Sequence, residues 1–150
     1  MDKNSILIRL SESDKIKYAS EEFDFASQSN AQKVFSTVWL LEAEVNNGGF
    51  SQYFLNSSAE TAPFVVDALR TIGASKTAEI CKRAIETAFP AGLPATIHAI
   101  RSAAAGFSDA IIDKLEPLDQ EFFEYPNNLT DLLYNYVSEH PDEFGSLSDL

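Results

Sequence analysis

Apolar residues along most of this chain recur every three or four positions, the spacing that lines one face of a helix. The clearest case is Leu129, Leu132, Leu133, Tyr136 and Val137, which follow i, i+3, i+4, i+7, i+8. Val34, Phe35, Val38, Trp39, Leu41 and Val45 predict a longer helix over residues 31–46. Val65, Ala68, Leu69 and Ile72 predict one over 62–72, with Pro63 in its first turn and Gly73 as its stop. Ile80, Cys81, Ala84, Ile85 and Ala88 form the inward face of another over 75–89. Residues 95–106, rich in small side chains, read as a central or interface helix. Ser108 reads as the N-cap of a helix that stops before Pro117, with a short acidic-aromatic helix from Leu118 to Tyr125 after it. Asn128 followed by Asp131 resembles a capping box with Asp in the Glu position.

The first thirty residues are less regular. Ile6, Ile8 and Leu10 alternate, which suggests a short strand, with Ser11 or Ser13 capping a helix through Ile16 and Tyr18. Ser27 to Asn30 is a polar break, with Asn30 the expected cap of the next helix. The fold class expected is therefore all-α. It would be a single-domain bundle of about seven or eight helices with a short N-terminal strand. Residues 1–30 would pack on a domain of residues 31–144, and residues 145–150 would fray.

The bundle is organised around Glu42 to Asn56. Here Asn47-Gly48-Gly49 interrupts an apolar helix, and Phe50, Tyr53 and Phe54 resume at helical spacing, ready to fold back on the same face. Asn and Gly tolerate the left-handed conformation that ends helices. Glu42, one turn before Asn46, can meet it, with Gln52, Tyr53 and Asn56 brought close by the turn. Such a cluster either fixes the turn by hydrogen bonding or lines a polar pocket.

Composition adds one unusual quantity. The 150 residues carry 23 acids and 11 bases, a net charge of −12. Nine of the acids fall after Lys114, where there is no Lys or Arg at all. That asymmetry argues against direct nucleic-acid binding and for a basic partner. The candidate partner-binding residues are Glu116, Asp119, Glu121, Glu124, Asp131, Glu139, Asp142 and Glu143. A domain of this length is roughly 38 Å across. Duplex DNA of that length carries about 22 phosphates. Half of these face one side, so the acids after Lys114 are of the same order.

Residues that carry chemistry are sparse. The two histidines, His98 and His140, and the one cysteine, Cys81, make no metal-ligand or nucleophile pattern. Cys81 falls on an apolar helical face and reads as a buried thiol; His140 falls at a helix C-terminus, where it suits the dipole. No phosphate-binding loop and no apolar run of membrane-spanning length occurs. The expectation is a cytoplasmic binding protein rather than an enzyme, with no cofactor, no metal and no membrane.

Glu-x-x-Val-Asn-Asn-Gly-Gly-Phe-x-Gln-Tyr-Phe-x-Asn, from Glu42 to Asn56, resembles the signature of a bacterial family, DNA-mimic protein nineteen. Ile72-Gly73-Ala74, Leu118-Asp119-x-x-Phe122 and Tyr136-x-x-x-His140-Pro141-x-Glu143-Phe144 are similar to it as well. The resemblance implies an all-helical, acidic, dimeric protein of a family whose named member imitates DNA toward a DNA-binding regulator; the partner expected for this chain is a basic DNA-binding regulator or nucleoid protein. It names no catalytic residue. The stretch Ala103-Ala104-Ala105 is compatible with a homodimer contact. Two rival readings stand beside it: an immunity protein that neutralises a basic toxin or nuclease through the same acids, and an enzyme built on a polar pocket near Glu42–Asn56.

Overall fold

The computed structural model describes residues 1–150 as eight α-helices with no strand. They are α1 (Lys3–Glu12), α2 (Asn30–Leu55), α3 (Val65–Thr71), α4 (Ser75–Ala88), α5 (Ile97–Ala105), α6 (Asp109–Phe123), α7 (Leu129–Ser138) and α8 (Pro141–Phe144). Short 3₁₀ turns occupy Phe25–Ser27, Ser57–Phe64 and Leu147–Asp149. The 26-residue α2 is the axis of the bundle: α3, α5, α6, α7, α8 and the Ser57–Phe64 turn all pack on it. Its apolar stripe, Phe35, Val38, Leu41, Val45, Phe50, Tyr53 and Phe54, is almost wholly removed from water. Each such large side chain contributes roughly 1.5–3 kcal/mol on burial. The aromatic rings interlock beyond α2 itself. Phe50 meets Phe122 of α6 edge-on at 6.0 Å, and Phe54 meets Phe89 at 5.1 Å.

The start of α2 is fixed by a full capping box. Ser29 Oγ accepts from the Gln32 N–H and the Gln32 side chain accepts from the Ser29 N–H. The cap is thus Ser29, one residue before the expected Asn30. Ser108 and Asn128 cap α6 and α7 as expected, accepting from Ile111 N–H and Asp131 N–H. The Asp131 carboxylate returns not to the backbone but to the Asn128 amide, at 2.9 Å. His140 Nδ1 donates to the Tyr136 carbonyl at 2.7 Å, closing the end of α7. Cys81 is buried, and burial raises its thiol far above the ordinary value.

Several expected elements differ. Residues 6–10 are helix, not strand. Asp2 accepts from the Ser5 N–H at 2.8 Å to start α1, and Leu7 with Leu10, three apart, enter the core while Ile8 faces out. Ser11 and Ser13 do not open a helix through Ile16; their hydroxyls donate to the carbonyls of Ile8 and Leu10 and finish α1. Lys17 and Ala19 then turn the chain at positive φ. Pro63 lies in the 3₁₀ turn before α3 rather than in its first turn. Pro117 does not stop α6. Leu115, Leu118 and Phe122 share one buried face against α2 and α4 across it. That packing outweighs the ~3 kcal/mol a proline costs inside a helix. Helix α5 is not central, since only Ile100 in it is buried. At the C-terminus, Leu147 and Leu150 are partly buried and pack against the core.

Candidate functional surface

Gly48 and Gly49 do not end α2; they kink it. Gly48 has extended φ (−158°), whereas Gly49 has φ +75° and ψ −175°, a region open essentially to glycine alone. The kink strips the next turn of its helical acceptors. Asp119, on α6, replaces one of them by accepting the Phe50 N–H at 2.8 Å. Asp119 is therefore the N-cap of the second half of α2, supplied from another helix. Half-burial raises its carboxyl above the ordinary aspartate value, opposed by the Phe50 N–H.

The polar side chains of the Glu42–Asn56 stretch divide between two acids. Glu44 Oε2 accepts from Gln52 at 2.7 Å and from Asn56 at 3.0 Å, which ties the helix before the kink to the helix after it. Glu42 does not gather Gln52 or Asn56. It accepts the Tyr125 hydroxyl at 2.8 Å, and that hydroxyl accepts from Asn46 at 2.7 Å. Tyr125 stands at φ +49° directly after α6, and burial pushes its hydroxyl up to about 12. Burial likewise raises Glu42 above the ordinary glutamate value, against the opposing Tyr125 hydrogen bond. Tyr53 is buried and bonds Thr61 at 2.6 Å. Asn47 is exposed.

Beside Glu42, helices α1, α2 and α7, with Tyr18, border an open pocket of about 280 Å³. Leu7, Ile8, Trp39 and Leu133 supply apolar wall, and Asn46 a polar edge.

The eight acids expected to bind a partner separate into two groups. Glu116, Glu124, Glu139 and Asp142 are exposed, and Glu143 is half-buried; none of the five is in an ion pair. The other three have internal partners. Asp119 caps α2. Glu121 is held by Arg83 in a two-pronged pair at 2.6 and 2.9 Å, which lowers its carboxyl below the ordinary value. Asp131 faces Lys3 at 3.3 Å. Because α6 runs through Pro117, two acids ahead of the proline join the exposed group. Asp109, Asp113, Glu116 and Glu124 lie on one side of that helix with Ile112 and Phe123, all exposed. A reading that broke the helix at Pro117 hid this alignment; the shared helical spacing of residues 109, 113, 116 and 124 was the signal available.

These features define an acidic all-α domain built around a kinked and cross-braced central helix. Residues 26–140 match the model of a family described as DMP19-like protein, and the chain belongs to that family. No curated protein and no solved structure matches it. No helix is long and apolar enough to cross a membrane.

Proposed function

We propose that this protein is an acidic binding module that covers the DNA-contacting surface of a basic, DNA-binding protein and keeps it off DNA. The observation that carries the reading is the outer face of α6. Asp109, Asp113, Glu116 and Glu124 stand there without one ion pair, with exposed Ile112 and Phe123 between them. Unrelieved like charge destabilises a folded surface, and a cationic partner relieves it. The apolar pair supplies contacts that solubility alone does not call for. The dimensions agree in order of magnitude. Fifteen residues span roughly 22 Å at ~1.5 Å each. Duplex DNA of that length carries about 13 phosphates, of which about half face one side.

Membership of the DMP19-like family supports the same reading. The test uses the full chain as bait at low salt, followed by competition with duplex DNA for whatever protein is retained. A basic DNA-binding protein, displaced by DNA and released as salt rises, is the expected result. A partner whose affinity ignores salt and DNA refutes the proposal.

A further inference from the structure

We infer that the pocket between α1, α2 and α7 is a binding site for an ammonium or guanidinium group carried on an apolar stem, with Glu42 as its counter-charge. Four observations carry this. Glu42 is the only charged residue lining the pocket, and no Lys or Arg reaches it. One carboxylate oxygen, Oε2, is fixed by the Tyr125 hydroxyl, while Oε1 makes no hydrogen bond to the protein. The carboxylate is thus oriented on one side and open to water or a ligand on the other. Trp39 stacks one way on Phe35, with ring centroids 5.4 Å apart, and also lines the pocket, where an indole attracts a cation. Leu7, Ile8 and Leu133 complete an apolar wall suited to an alkyl or aryl stem.

Chemistry and size together narrow the ligand. About 280 Å³ is at the small end of ligand pockets. An anionic ligand meets an uncompensated carboxylate there, and a neutral one leaves Oε1 without a charged partner. A cation on an apolar stem satisfies both wall and acid. That chemistry has two sources, a free small amine and a Lys or Arg side chain of another protein. This site is separate from the acidic face of α6, and its occupancy does not depend on what that face binds.

The experiment is internal to the molecule, because Trp39 is the only tryptophan and lines the pocket. Its fluorescence is followed while the full chain is titrated with phenethylamine or with Nα-acetyl-arginine N-methylamide. The uncharged counterparts 2-phenylethanol and the matching citrulline derivative are run alongside. A saturable change is expected for the cations and binding about tenfold weaker or more for the neutral compounds, the size of a charge-assisted contact. Glu42→Gln should lose about the same factor. Ala43→Phe, at an exposed position that lines the pocket, should fill it and abolish binding while far-UV circular dichroism shows both variants folded. Tighter binding of the arginine derivative assigns the site to a partner's side chain; tighter binding of phenethylamine assigns it to a free amine. Absence of saturation by either cation at millimolar concentration overturns the proposal. So does equal binding of the neutral compounds, or an unchanged affinity in Glu42→Gln.

Discussion

Replacing Gly49 by alanine tests how the central helix is held. Two costs combine in this variant. The residue is at φ +75° and ψ −175°, where a side chain costs about 1–3 kcal/mol of backbone strain. A Cβ there would also collide with the Asp119 carboxylate, lying 2.8 Å from Cγ and 3.0 Å from Oδ1. Asp119 must move, and the Phe50 N–H loses its acceptor, worth about 1–3 kcal/mol for a donor left unpaired. Gly49→Ala should therefore lose about 3–5 kcal/mol, a large share of the ~5–15 kcal/mol typical of a domain. Asp119→Ala alone should lose only about 1–2 kcal/mol, and Asp119→Asn less, because an amide oxygen still accepts from Phe50.

The decisive sample is the double variant. With the carboxylate gone there is nothing to displace, so Gly49→Ala/Asp119→Ala should be about as stable as Gly49→Ala alone. The measured loss should fall short of the sum of the singles by about 1–2 kcal/mol. Urea denaturation followed by far-UV circular dichroism gives all four stabilities, provided the denaturant slope is the same in each. Strict additivity would show that the remote cap and the kink are not coupled, and the account of α2 would then be wrong.

Four further expectations concern other parts of the molecule. Glu42 has a raised carboxyl in the folded state, so the folded protein holds its proton more tightly than the unfolded chain. Stability tied to this group therefore increases as pH falls through that raised value toward 4.5, and Glu42→Gln should be most favoured over the parent at neutral pH, the difference vanishing as pH falls to 4.5; a pH-independent difference in melting temperature contradicts this. Reversing Asp113, Glu116 and Glu124 to lysine should leave circular dichroism unchanged and abolish salt-sensitive partner binding, whereas Arg83→Ala, which breaks a pair more than a third exposed, should change stability by less than about 1 kcal/mol. We propose a homodimer through the face of α5 where Ala103 and Ala105 stand exposed: sedimentation at micromolar concentration should give twice the chain mass, and monomer alone refutes it.

Local periodicity carried most of the fold. The faces of α4 and α7 were legible because their apolar residues stand three and four apart with a cap or a break at each end, as at Asn128 and Pro141. What escaped was non-local. Asp119 caps Phe50 from 69 residues away, and Asn127 accepts from the Lys76 and Thr77 N–H groups at 2.9 Å to cap α4 from about fifty. A short polar side chain in sequence announces a cap for its own neighbours, never for a helix that folding later brings beside it. Pro117 misled for a related reason: its local preference is to end a helix, and only burial of Leu115, Leu118 and Phe122 on both sides overrides that. The pocket was hidden with α1. Once Ile6, Ile8 and Leu10 are read as alternating, no helix remains to form its wall, although Asp2 with Leu7 and Leu10 three apart was a helical signal in plain view.

The sealed thiol of Cys81 makes the chain its own clock. A thiolate reacts and a buried thiol does not, so an alkylating reagent modifies this protein only in the moments when its core is open. With no second cysteine to compete, one mass shift per molecule records one opening. The rate of that shift in dilute reagent reads the fraction of time spent open, and it can be followed in a crude extract where no spectroscopic signal survives. Any ligand or partner that prefers the closed form must slow the clock, which makes labelling speed a screen for binders before their identity is known.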